Sequence, residues 1–487
     1  MISRAENVRA NALPSTTANL ESMMPSPKAG SASKSKAAGQ GWQPPKRLER
    51  PEIVRISEAM LAEPDIPYTR SEDISRIRAN GLDWDIGTMV YTPDDPAKVP
   101  RGPDGKKIAV FMTHGGASDW RSMEPLAAML ARKRGYKVCS MTYPGRFYFD
   151  NPAHDWPGDT FDPEGTGANN ATAGSAPTGN IKVRTPIWLR GETITQDQYT
   201  VEADASHRGI YGTRRYAVAK PGTLFHLRMA AWPKAIVEAM KDICARHFPP
   251  SEWSIYVHGH STGGPFVHTL LQRCENVKGV IGVENSPFGW LFNKMTGHDW
   301  PTPFNHILIR DWRELARYTG AELALKEGDK PLYRLAQVME EIFALWDVSR
   351  KAPQFKAENW YHNRTVSCLT EAAQVSARHQ GFNADETAAL VQEYLDYGVP
   401  LQGEGVKPVP PILHGICEYS RDHRPDKYEM MRKEYAKLKP APKFEYVQLG
   451  SGIHSYWRAE PDLPFSVVPA VVKVWDEAVR EGWYEAG

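Results

Sequence analysis

The chain has 487 residues, enough to bury a substantial core without disulfide or metal staples. Lys and Arg number 59 against 58 Asp and Glu, a net charge of +1, so nothing electrostatic favours nucleic acid or an anionic membrane surface over a small or neutral ligand. The five cysteines are scattered without a Cys-x-x-Cys pair, which excludes a zinc ribbon or a disulfide framework and reads as mostly buried, reduced thiols.

Residues 1–45 are dense in Ser, Ala, Lys, Gly and Pro and poor in large apolar residues, so they read as a mobile tail or a partner-binding arm. They contain no apolar run of the length a secretory signal needs, and no later segment approaches the length of a membrane span. The expectation is a cytoplasmic protein; an organelle transit peptide is the alternative, with Glu6 and Glu21 against it.

From about residue 83 the pattern becomes an alternation of β-biased apolar runs and helical spacings. A strand is expected in "KKIAVFMTH" (106–114), a helix in "SMEPLAAMLARKRGY", and a strand in "KVCSMTYPG". After a Gly-, Pro-, Asn- and Asp-rich insertion at 150–222, the series resumes with a helix over 224–248, a strand in "WSIYVHG", a helix in "GGPFVHTLLQRC" and a strand in "VKGVIGVENSP". Residues 288–409 hold amphipathic helical stretches and read as a helical cap or lid inserted between two strands. The alternation closes with "PVPPILHGICE", "YEMMRKEYAKL", "KFEYVQLG" and "VVPAVVKVWDEAVREG". Strands alternating with helices imply a mostly parallel sheet covered on both faces, with a core at 46–287 and 410–487 interrupted by the cap.

The chemistry gathers at the strand tips. In "YVHGHSTGGPF", Ser261 lies between an apolar strand and a helix, with Gly259 and Gly263 on either side. A serine on such a turn is lifted to the sheet edge as a nucleophile, and the amide of Thr262 opens the helix beside it. His454 in "QLGSGIHSYW" follows the final strand on a glycine-containing loop and is the candidate base. The successive glycines Gly115 and Gly116 in "THGGASDW" let backbone N–H groups converge on a developing oxyanion. Two strand-terminal carboxylates, Glu284 and Glu418, compete to orient the imidazole, with Asp422 a little further on. Trp290, Phe288 and Phe147 lie near the strand tips, as substrate contacts or as packing.

The blocks "THGGASDW", "TYPGRF", "GHSTGGPF", "GVIGVENSP" and "SGIHS" resemble the α/β-hydrolase superfamily, and most specifically a group of bacterial carboxylesterases with a Ser-His-Glu triad. The resemblance spans the sheet strands and their loops, about half of the chain. It implies an α/β-hydrolase fold, a triad of Ser261, His454 and Glu284, and oxyanion donors near Gly116 and at Thr262. In the wider superfamily the acid more often follows the next strand, which would be Glu418 here. The resulting expectation is a cofactor- and metal-free serine hydrolase acting on a small ester with apolar or aromatic groups. Lactone, amide or carbon–carbon bond hydrolysis, and a non-catalytic binding protein on the same fold, are the alternatives. The sequence does not fix the oligomeric state; a homodimer is compatible with it.

Overall fold

The computed structural model describes residues 41–115, 120–144, 160–161, 183–184, 188–192, 194–209, 212–261, 263–288, 306–309, 360–420, 423–458 and 465–485. The expected strands are present as β4 (Lys107–Thr113), β5 (Lys137–Met141), β10 (Trp253–Gly259), β11 (Val277–Val283), β13 (Ile412–Cys417) and β14 (Phe444–Leu449). They are joined by β1 (Arg47–Leu48), β2 (Tyr68–Ala79) and β3 (Leu82–Pro93) in one nine-stranded sheet of order β1-β14-β13-β11-β10-β4-β5-β3-β2. Every pairing along the order from β1 to β5 is parallel; β3 pairs antiparallel with both β5 and β2, so β3 alone runs against the rest of the sheet. The chain therefore has the α/β-hydrolase fold, a mostly parallel sheet between two helical layers.

The strand sequences explain why both faces are covered. Along β4, Ile108, Val110 and Met112 face one core, while Ala109 and Phe111 face the other, as the two-residue period of a strand requires. The first core is closed by α1 (Arg50–Ala62), α2 (Trp120–Arg134) and α8 (Val468–Arg480), where Val471, Val474, Trp475 and Ala478 recur at helical spacing. The opposite core is closed by α3 (Leu224–His247), α4 (Gly263–Leu270) and α7 (Pro425–Tyr435). All five cysteines are free, four of them buried.

Three elements escape a reading that starts at residue 83. The helix α1 opens with Pro51 in its first turn, where a missing N–H is harmless. The strand β2, "YTRSEDISRIRA", is polar because it is the edge of the sheet. It is joined to β3 by Asn80 (φ 49°) and Gly81 (φ 78°), the two left-handed residues that a tight hairpin turn demands.

The insertion at 150–222 contains β6 (Thr160–Phe161), β7 (Val183–Arg184), β8 (Tyr199–Gly209) and β9 (Gly212–Ala219). β8 and β9 form an antiparallel ribbon, extended by β12 (His306–Ile309). Of the expected 288–409 cap, the described helices are α5 (Trp360–Gln380) and α6 (Ala384–Asp396). They form an outer layer on α3: the Tyr394 hydroxyl donates to the Ala230 carbonyl at 2.8 Å, and Lys234 meets Glu393 at 2.9 Å. Residues 1–40, 289–305 and 310–359 lie outside the described residues, and with them most of the tail and the centre of the cap. Among the described residues, no helix is long and apolar enough to cross a membrane.

Four buried histidines fill core positions. His258 and His268 are pushed down to about 3, and His260 and His414 well below the ordinary imidazole value, in each case foremost by burial. All four are neutral in the fold, and the unfolded chain binds protons that the fold refuses. Stability from these groups is therefore complete above pH 6.5 and is lost as the pH falls towards their folded values. For His258 and His268 the loss should be on the order of 2 kcal/mol each between pH 7 and pH 5, and His260 and His414 act in the same direction. Urea midpoints should fall steeply across that window, before most carboxylates titrate, and a flat profile would contradict neutral burial.

Candidate active site

The turn after β10 is built by close approach of backbone to backbone. A Cβ on Gly263 would lie 2.5 Å from the carbonyl oxygen of His114 and 2.9 Å from that of Thr113, and one on Gly259 would collide with the backbone of Gly263. Only glycine fits either position, which is the physical content of the Gly-x-Ser-x-Gly spacing. Between them Ser261 takes a left-handed conformation (φ 50°), which costs a non-glycine residue about 1–2 kcal/mol. The turn is pinned on both sides. The His260 amide donates to the Thr113 carbonyl at 3.1 Å, and the Ser261 amide to the Glu284 carbonyl at 2.8 Å. Gly115 comes close to this turn, where an added Cβ would stand 3.3 Å from that of Ser261. Gly116 and Thr262, the other expected oxyanion donors, lie outside the described residues.

The structure separates the two competing carboxylates. Glu284, just beyond β11, also has a left-handed backbone (φ 53°), and it is fully buried. Its Oε2 accepts from His454 Nδ1 at 3.0 Å and from the Ser420 hydroxyl at 2.6 Å, while its Oε1 accepts from the Cys417 amide at 2.9 Å. Three donors offset the desolvation of this carboxylate, which unpaired burial would make very expensive. The alternative acid, Glu418, points the other way: its side chain is 37% exposed and accepts from Arg47 Nη1 at 2.8 Å. At the tip of β13 it is the amide of residue 417 that faces the buried carboxylate, and the Glu418 side chain emerges at the surface. Asp422 lies outside the described residues.

His454 sits on the loop after β14, part-exposed on its side chain at 23%. Its Nδ1–H is committed to Glu284, so in the neutral ring Nε2 is the basic nitrogen. The loop is fastened to the turn after β13 by the Glu418 amide on the Ser451 carbonyl (3.1 Å) and the Tyr419 amide on the Gly452 carbonyl (3.0 Å). It is also fastened to the nucleophile turn. His260 Nε2 donates to the His454 carbonyl at 2.9 Å, and the two rings lie 4.6 Å apart. Because burial keeps His260 neutral, this clamp brings no cation beside the base.

Two residues that sequence reasoning passed over complete the neighbourhood. His423, buried just ahead of α7, stacks on His454 with ring centres 5.3 Å apart, and Ser420 bonds the acid. No sequence spacing marks either one, since both act through a fold-dependent turn. Glu284, His423 and His454 bring ligating atoms within 4.8 Å of one another, a donor set of the type that divalent metals use. Both oxygens of the carboxylate already accept from protein donors, so the arrangement fits a hydrogen-bonded acid and base better than a ligand set.

Of the expected substrate contacts, Trp290 and Phe147 lie outside the described residues. Phe288 takes the packing alternative: it is 1% exposed and packs edge-on against His268 at 5.3 Å, inside the core between α4 and α7. The chain beyond β11 folds back over α4, so an aromatic there is used for packing.

No family model matches the chain, and no curated protein matches it. Solved structures do. The Francisella virulence factor BioJ is 12% identical with a TM-score of 0.35, covering 89% of this chain and 93% of its own. A thioesterase domain from the curacin biosynthetic pathway is 12% identical with a TM-score of 0.32, over 84% of this chain and 99% of its own. The carboxylesterase CesB (YbfK) from Bacillus subtilis is 11% identical with a TM-score of 0.31, over 84% and 93%. At identities this low the chemistry of the chain rests on the geometry of its own site and not on these neighbours.

Proposed function

We propose that the chain is a serine hydrolase that cleaves a carboxylic ester through an acyl-enzyme. The observation that carries this reading is the bond at 3.0 Å between buried Glu284 and His454, whose loop His260 ties to the strained turn bearing Ser261. In this mechanism Ser261 Oγ attacks the ester carbonyl as His454 Nε2 takes its proton, and Glu284 stabilises the resulting imidazolium. The tetrahedral oxyanion is met by backbone amides, for which the resemblance nominates those near Gly116 and of Thr262. The alcohol leaves with the proton from His454. Water, deprotonated by the same imidazole, then attacks the acyl-enzyme, releases the carboxylic acid and restores Ser261.

A substrate with apolar or aromatic groups fits the half-buried Trp457, which stands edge-on to His260 at 4.7 Å beside the base. A small-molecule partner, with no role for nucleic acid or membrane, also agrees with the balanced charge. Lactone, amide or carbon–carbon bond hydrolysis would use the same groups.

The test is the intact mass after exposure to a fluorophosphonate, with Ser261→Ala beside it. One adduct on the wild type and none on the variant is the expected result. No adduct on folded wild type would favour a binding protein that has kept the fold.

A further inference from the structure

Glu284 reaches its position from β11, yet the groups that receive it belong to the turn after β13. That turn is closed by the Ser420 amide on the Cys417 carbonyl at 3.3 Å, which sets the Cys417 N–H and the Ser420 hydroxyl around one carboxylate. Ser420 is oriented in its turn. Its Oγ accepts from the His423 amide at 2.9 Å, which leaves its single proton for Glu284 Oε2 at 2.6 Å. The same Oε2 accepts the hydrogen bond from His454 Nδ1–H, so one oxygen carries both the anchor and the bond to the base. Ser420 is 9% exposed and Glu284 fully buried, so little water competes for the bond.

We propose that the turn following β13 is a built receptor for a carboxylate arriving from the neighbouring strand, and that Ser420 is the positioning residue that fixes Glu284 against His454. This rests on the hydrolase reading for its effect on turnover, but not for its effect on the acid–base pair. Without the hydroxyl, Oε2 keeps its charge undivided and the carboxylate can swing. The swing loosens the base from the position in which it meets Ser261.

The experiment compares wild type with Ser420→Ala, Ser420→Cys and Ser420→Thr. Three quantities are read: the pH dependence of fluorophosphonate labelling, the unfolding temperature, and the downfield proton resonance of His454 Nδ1–H. In the Ala and Cys variants, labelling should slow about 10- to 100-fold across the pH range, with the resonance shifted or broadened. Threonine keeps the hydroxyl and should restore all three. Should the Ala variant fail to fold, the near-isosteric Cys variant decides the matter. Wild-type labelling and an unmoved resonance in a folded Ala or Cys variant would overturn the proposal, because a space-filling role would leave both untouched. If wild type itself does not label, the hydrolase reading fails. The resonance then decides alone: a response to Ser420→Ala upholds the anchoring, and no response ends it.

Discussion

On the proposed mechanism, Ser261→Ala is expected to give a folded protein whose ester turnover falls on the order of 10⁵-fold, because the acyl-enzyme would form on the Ser261 hydroxyl. The turn itself survives the change. Gly259 and Gly263 make its close approaches, and the Ser261 amide, not its hydroxyl, bonds the Glu284 carbonyl. Steady-state rates on a short-chain activated ester, with circular dichroism to verify folding, measure both halves of the result. A variant that retained more than about one part in a hundred of the rate would move the nucleophile elsewhere.

Glu284→Gln is expected to lower kcat on the order of 10³- to 10⁴-fold with little change in KM. An amide of nearly the same shape cannot do the carboxylate's work at this site, where both oxygens accept. Oε2 faces the Ser420 hydroxyl and His454 Nδ1–H, and Oε1 faces the Cys417 N–H. Whichever way the amide is turned, its NH₂ meets a donor, and the imidazole loses the partner that sets its tautomer and steadies its charge. Glu418→Gln is the matched control: it breaks only a surface pair with Arg47 and should change kcat less than about twofold. The reverse order of effects would return the acid to β13.

The legibility of each element in the sequence depends on the physical origin of its signal. Strands β4, β10, β11 and β13 were legible because a parallel strand covered on both faces is apolar almost throughout. "WSIYVHG" is buried at every position. The edge strand β2 lacks that signature, although the Asn80–Gly81 pair was a usable hairpin signal. Ser261 was legible because the glycines around it are steric necessities, and His454 because it follows the last strand. The choice between Glu284 and Glu418 was not legible from the residues. Both end apolar strands, and the difference lies in which way one side chain leaves a strand tip, a matter of local backbone (φ 53° at Glu284) and of the neighbouring turn. Whether Phe288 packs or meets a substrate was open for the same reason, since its burial depends on how the chain returns over α4. Ser420 and the Cys417 amide carried no sequence signal, since a backbone N–H belongs to every residue and its direction to the fold alone.

Ser261 and Glu284, joined amide to carbonyl across adjacent strands, both hold left-handed backbones without being glycine. Selection for stability alone would drift towards glycine at both, since that relieves about 1–2 kcal/mol at each. A serine and a glutamate in these two conformations therefore carry a backbone cost that glycine would not. In such a pair the molecule records that something other than its own persistence has been shaping it.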